Sequence, residues 1–177
     1  MNELQLFREI SEGDINALNI LFETYYQRLC DFAFTYLNDY PQAEELVSDV
    51  FVKIWESKSI LKGVTYPRSF LFTMVKNQCI SLTRKTKLTV SSIDEIEVVQ
   101  STLSPEENIL TEDLNEAWEQ FKVNIPSLQL QAFELSRFHQ LKYQEIAEVL
   151  EISVKTVEKY IGNTLKMIHK DFLEKHL

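Results

Sequence analysis

The stretch Gln144–Ile161 confines this chain to a narrow set of local folds. Ile146, Ala147 and Leu150 recur at the spacing of one helical face, and Ser153 then stands where a hydroxyl can accept from the free amides of a second helix. Two short helices joined by a tight turn are predicted, with the small Ala147 where they cross. In the second helix Val154, Val157, Ile161, Leu165 and Ile168 fall in one stripe when each residue turns by about 100°. Lys155, Lys159, Gly162, Asn163 and Lys166 then face outward. Such a face, with Thr156, offers cations to phosphates and hydrogen-bonding groups to base edges in a major groove. Gly162 costs about 1 kcal/mol inside a helix and is read as a place where DNA comes close. Solvated lysines on an ordinary surface helix are the alternative; the preceding helix and turn favour DNA.

The rest of the chain also reads as helical. Helices are predicted near 3–11, 14–38, 41–58, 67–86, 105–122, 127–138, 143–150 and 154–173. Pro41, Pro67, Pro105 and Pro126 each stand where a helix can begin, the position that best tolerates a residue without an N–H. Alternation appears only around Leu88–Val99, where paired serines and acids favour a loop. The expected fold is all-α: a helical domain at 1–88, an acidic linker at 89–104 and a second helical domain at 105–177.

A net charge of −9 runs against DNA binding until it is counted by segment. Residues 1–57 carry −8, residues 58–88 carry +7 without a single acid, residues 89–120 hold nine acids and no Lys or Arg, and residues 121–177 carry +1. Because charges are screened beyond about 8–10 Å at physiological salt, a phosphate responds to the local balance. The three scattered glycines, Gly13, Gly63 and Gly162, draw no phosphate-cradling loop. Cys30 and Cys79 have no CxxC partner, and His139, His169 and His176 have no ligand spacing, so buried free thiols and neither metal nor cofactor are expected. The start lacks a signal-peptide pattern and no run approaches the roughly 20 apolar residues that span a bilayer, so a cytoplasmic protein is expected.

Two N-terminal helices carry further signals. Ala43, Leu46, Val47, Val50, Phe51, Ile54 and Trp55 form a broad apolar stripe, with Glu44, Glu45, Asp49 and Glu56 off it. That pattern fits a core helix with acids near the positive end of its dipole, or a docking face for a basic partner. The helix near 67–86 mixes Tyr66, Phe70 and Phe72 with Arg68, Lys76, Arg84, Lys85 and Lys87. Rings between cations suit single-stranded nucleic acid; some of the apolar residues must equally be core.

With these blocks in order, the chain resembles the two-domain extracytoplasmic-function sigma factors of bacterial RNA polymerase over nearly its full length. The resemblance rests on Ala43–Trp55 (AEELVSDVFVKIW), Phe70–Ile80 (FLFTMVKNQCI), Ile125–Phe133 and the helix-turn-helix. It implies that Glu44, Glu45, Asp49, Lys53 and Trp55 meet a coiled coil of core RNA polymerase. It implies that Tyr66, Arg68, Phe70, Lys76, Asn77, Arg84 and Lys85 melt the −10 promoter element and hold a base flipped from the non-template strand, which costs a few kcal/mol of unstacking. It implies that Lys155, Thr156, Glu158 and Lys159 read duplex DNA at −35, with Asn163 and Lys166 nearer the backbone. The linker of similar proteins threads toward the polymerase active-site channel, and many are held inactive by an anti-sigma factor. Two positions depart from the pattern: Ser81 replaces the usual aspartate, and Lys142 the Ser or Thr that caps the helix opening at Tyr143, at an expected loss of about 1 kcal/mol.

The expected protein is therefore a non-enzymatic initiation factor. A helix-turn-helix regulator with an N-terminal sensing or dimerisation domain is the alternative, and the acid-free run 58–88 with Lys76-Asn77 weighs against it. An enzyme with a DNA-binding tail has no catalytic constellation behind it.

Overall fold

In the N-terminal half, short polar residues set where each helix starts and stops. The structure, a computed structural model, describes residues 2–90 and 118–173, with side chains over 2–85 and 118–170. Helix α1 (Glu3–Glu12) ends at Gly13, whose φ of 100° lets its N–H turn back to the Glu9 and Ile10 carbonyls. Helix α2 (Ile15–Leu37) starts at Asp14, which accepts from the Asn16 N–H at 2.8 Å, and stops at Asn38 in the left-handed region. Helix α3 (Tyr40–Glu56) is capped by Asp39, which accepts from the Gln42 N–H at 3.0 Å, with Pro41 in its first turn. A 3-10 helix (Lys58–Gly63) leads to α4 (Pro67–Val90). The 3-10 segment was not foreseen: too short for a periodic pattern, it is anchored by the single buried Leu61.

These helices close around Phe7, Ile10, Leu21, Leu29, Val47, Val50, Ile54, Leu71, Phe72 and Val75, all essentially inaccessible. Burying each such side chain favours the fold by about 1.5–3 kcal/mol. Edge-to-face rings join the elements, Phe7 to Phe70 at 5.8 Å and Phe32 to Phe72 at 5.0 Å between centroids. Cys30 and Cys79 lie inside as free thiols, and burial pushes both up to about 12, so they act as small apolar groups.

The chain divides into two compact units, Met1–Val99 and Gln100–Leu177. Within the second, residues 118–122 are helical, followed by α5 (Ser127–Arg137), α6 (Tyr143–Leu150) and α7 (Val154–Met167), which continues into a wider π turn over Ile168–Leu173. Phe121 and Ile125 are buried under Trp118, Leu130, Met167 and Ile168, so the entry segment is fastened to α5 and the end of α7. Among the described residues there is no strand. The expected linker 89–104 lies outside the described residues from 91 on, and α4 runs through its first two positions. Of the helix expected at 105–122, only 118–122 is described.

Candidate nucleic-acid interface

The helix-turn-helix is built as its residues dictate. Ile146, Ala147 and Leu150 are buried on α6, and Glu151 turns the chain at φ 57°. Ser153 then opens α7, its hydroxyl oxygen accepting from the Thr156 N–H at 3.1 Å and lying 2.7 Å from the Thr156 hydroxyl. The expected loss at Lys142 is offset from the other side: the Lys142 N–H donates to the Glu145 carboxylate at 2.8 Å, the return half of a capping box. Glu145 is buried for that purpose.

One expectation about α7 is corrected. Val157 and Ile161 are buried, but Leu165 is 45% exposed and Thr164 takes the inner place at 0%. At about 100° per residue, Thr164 lies closer than Leu165 to the axis through Val157 and Ile161. Its hydroxyl donates to the Tyr160 carbonyl at 3.0 Å, which leaves its methyl for the core. The opposite face keeps Lys155, Lys159 and Lys166 exposed at i, i+4 and i+11, with Gly162 at i+7 between them. A Cβ built at Gly162 meets no neighbouring atom within 4 Å, so packing does not require a glycine there.

In the first unit, α3 and α4 enclose a groove of about 290 Å³. Gln42, Glu45, Leu46, Asp49 and Lys53 line it from α3, and Gln78, Ser81, Leu82 and Lys85 from α4. The row Glu45, Asp49, Lys53 steps by four residues, so one helical face presents two carboxylates and a cation to the groove. Beside it Val52 is 54% exposed, and the Lys58 ammonium rests 4.6 Å from the Trp55 ring centroid. Away from the groove, α4 exposes Asn77, Ile80 and Arg84. Ahead of it Tyr66 is exposed just before Pro67.

Comparison with known proteins decides what this arrangement belongs to. Residues 21–89 match Sigma-70 region 2, and residues 124–168 match Sigma-70, region 4. The chain belongs to the sigma-70 family. It is 26% identical over 126 residues to the ferric citrate uptake sigma factor FecI of Escherichia coli, across 70% of this chain and 72% of that one. It is 22% identical over 176 residues to the RNA polymerase sigma-H factor of Pseudomonas aeruginosa, across 94% and 91%. The fold is shared with the sigma factor RpoE of Bartonella quintana, solved in complex with the anti-sigma factor NepR, at a TM-score of 0.69 and 18% identity over 88% of this chain and 96% of that one. Within the family it is a sigma factor of the extracytoplasmic-function kind.

For this sigma factor the structure sorts the residues singled out in the sequence. Lys155, Glu158, Lys159 and Lys166 are exposed on α7; Asn163 is half-buried on the same helix, and Thr156 is engaged in the Ser153 cap. Glu44, Glu45, Asp49 and Lys53 are exposed on α3, with Trp55 half-buried under Lys58. The proposed −10 set does not stay together. Tyr66, Asn77 and Arg84 are at the surface, whereas Lys85 joins the α3 groove. Three members turn inward. Phe70 is half-buried with its ring against Phe7, Lys76 is only 7% exposed, and Arg68 is held by a carboxylate from α1. Periodicity could have warned of the first: Phe70 borders the buried Leu71 and Phe72, and only the α1 partner was missing from a local reading.

The Arg68 contact gathers three donors onto one carboxylate oxygen. One oxygen of Glu3, Oε1, accepts from Arg68 Nη2 at 2.7 Å, Arg68 Nε at 3.0 Å and the Tyr25 hydroxyl at 2.8 Å. Burial alone raises a carboxyl, but the hydrogen bonds from Arg68, its own backbone and Tyr25 prevail and lower Glu3 to about 2. Burial and the hydrogen bond to Glu3 raise Tyr25 to about 12. Neither Glu3 nor Tyr25 was singled out in the sequence, because their partner lies 65 residues from Glu3.

Proposed function

We infer that this chain is a promoter-specificity subunit: it binds core RNA polymerase and directs initiation at promoters it recognises through −35 and −10 elements. The observation that carries this is the pairing, in one chain and in this order, of region 2 and region 4 of the sigma-70 family. The outward row Lys155, Lys159 and Lys166 on α7 supports duplex binding at −35, where cations meet phosphates and the exposed Glu158 beside them is a candidate for base edges. At −10, support is strongest for Tyr66, Asn77 and Arg84, which combine an exposed ring, an amide and a cation for unstacked single-stranded DNA. For core polymerase, the Glu44, Glu45, Asp49 and Lys53 face of α3 offers charge complementary to a basic partner, with Val52 and Trp55 as apolar contacts.

The factor itself performs no catalysis and works in the cytoplasm, where its polymerase is. An anti-sigma factor is its natural inhibitor, as NepR is the partner in the RpoE complex. The deciding experiment adds the protein to sigma-free core polymerase and measures promoter-dependent transcripts. Specific initiation is expected; tight binding to duplex DNA without any directed initiation would refute the reading in favour of an ordinary regulator.

A further inference from the structure

The Thr65–Arg68 turn enters α4 and carries Tyr66, 40% exposed, as the foremost ring of the basic segment. Its backbone is pinned from within: Pro67 fixes one dihedral, and the Tyr66 carbonyl accepts from the Ser69 hydroxyl at 3.1 Å and the Phe70 N–H at 3.0 Å. Its far side is pinned from a distance. Arg68 is tied to Glu3 on α1, and the same carboxylate oxygen takes the Tyr25 hydroxyl from α2.

That convergence is added to other anchors of α1. Leu6, Phe7 and Ile10 already bury α1 in the unit, and Phe7 meets Phe70 edge to face. The Arg68 and Glu3 side chains keep about a third (32%) and a quarter (27%) of their surface exposed, and ion pairs so placed add little to stability. What a two-pronged contact from one guanidinium to one carboxylate does supply is orientation. Capturing an unstacked base gains from a turn already in place, because a rigid contact loses less entropy on binding.

We propose that Glu3, oriented by Tyr25, is a positioning residue for promoter opening: by holding Arg68 it fixes the Thr65–Arg68 turn that receives unpaired −10 DNA. The first turn of α1 thereby becomes a working part of the −10 reader, although it touches no DNA. This rests on the reading of that turn as a −10 contact.

The test uses full-length protein assembled with core polymerase, on a promoter carrying 2-aminopurine in its −10 element. Three quantities are read: holoenzyme assembly, affinity for a duplex bearing only the −35 element, and the rate of opening. Glu3→Gln keeps the shape and removes the charge. It should leave the first two unchanged and slow opening about tenfold, less than the roughly hundredfold that a 1 Å misplacement can cost. Tyr25→Phe should act in the same direction and less strongly. Opening at the wild-type rate in Glu3→Gln overturns the proposal, as does a loss shared equally by all three quantities, which marks a simple fold brace. Tyr66→Ala separates the two layers. If it opens normally, the −10 reading of the turn fails and the proposal with it. If it blocks opening while Glu3→Gln does not, only the positioning role is overturned.

Discussion

Replacing Gly162 by alanine should make the protein more stable and a poorer binder of −35 DNA. The two effects have separate physical origins. Gly162 lies inside α7 with ordinary helical geometry, and an added Cβ meets no neighbouring atom within 4 Å. Nothing subtracts from the helix-propensity gain of about 1 kcal/mol. For a domain of this size that raises the unfolding midpoint by roughly 4–8 °C. On the proposed DNA-facing side the methyl projects among the exposed Lys155, Lys159 and Lys166. If the backbone approaches the duplex closely there, the extra carbon costs about 1–3 kcal/mol, as overpacking does elsewhere. That range corresponds to roughly five- to 150-fold in affinity. Calorimetry gives the first quantity, and anisotropy of a labelled −35 duplex titrated with holoenzyme the second. A lower midpoint would show that the fold requires the glycine. A higher midpoint with unchanged affinity would refute close approach of DNA at Gly162 and move the contact along the helix.

Glu134, on α5, should make the stability of the second unit depend on pH in an unusual direction. Burial raises its carboxyl to about 7, Glu119 adding to the rise and Lys122 opposing it. Since the folded state holds a proton that the unfolded state has released, stability is fullest below about 4.5 and declines as pH rises to about 7, by up to about 3 kcal/mol. Glu134→Gln should unfold at higher denaturant than wild type at pH 8 and match it at pH 4; equal curves at both would contradict the burial. Glu151, at φ 57° between α6 and α7, sits where only glycine is unstrained, so Glu151→Gly should stabilise by about 0.5–1 kcal/mol in urea melts. A loss there would mean that its side chain matters more than its backbone.

The secondary structure and the helix-turn-helix were legible because their rules are local. Ser153, Asp14 and Asp39 announce helix starts, and the inward faces of α3 and α6 follow from i, i+3 and i+4 spacing. Leu165 misled because hydropathy ranks leucine above threonine, although Thr164 lies nearer the buried axis and satisfies its hydroxyl within the helix. For the first-unit candidates the residue types were legible and their surroundings were not. Arg68, Phe70 and Lys76 looked like nucleic-acid ligands because cations and rings alternate there, yet α1 supplies Glu3 and Phe7 to two of them. A partner 65 residues away leaves no mark on local spacing. The α3–α4 groove, which groups Lys85 with Glu45 and Asp49, likewise depends on how two helices pair.

Helix α4 bears on three surroundings at once. Leu71, Phe72, Val75 and Cys79 look inward, Gln78, Leu82 and Lys85 look toward α3, and Asn77, Ile80 and Arg84 look out. Its 24 residues make a rod about 36 Å long whose turns are braced by their own hydrogen bonds. A continuous helix couples the two ends of such a span, although it can bend. On the proposed reading, a partner held in the groove beside Lys53 and Lys85 would therefore also set the pitch at which Asn77 and Arg84 face outward. Surface substitutions on opposite sides of α4 should then behave as coupled pairs even though their side chains never touch.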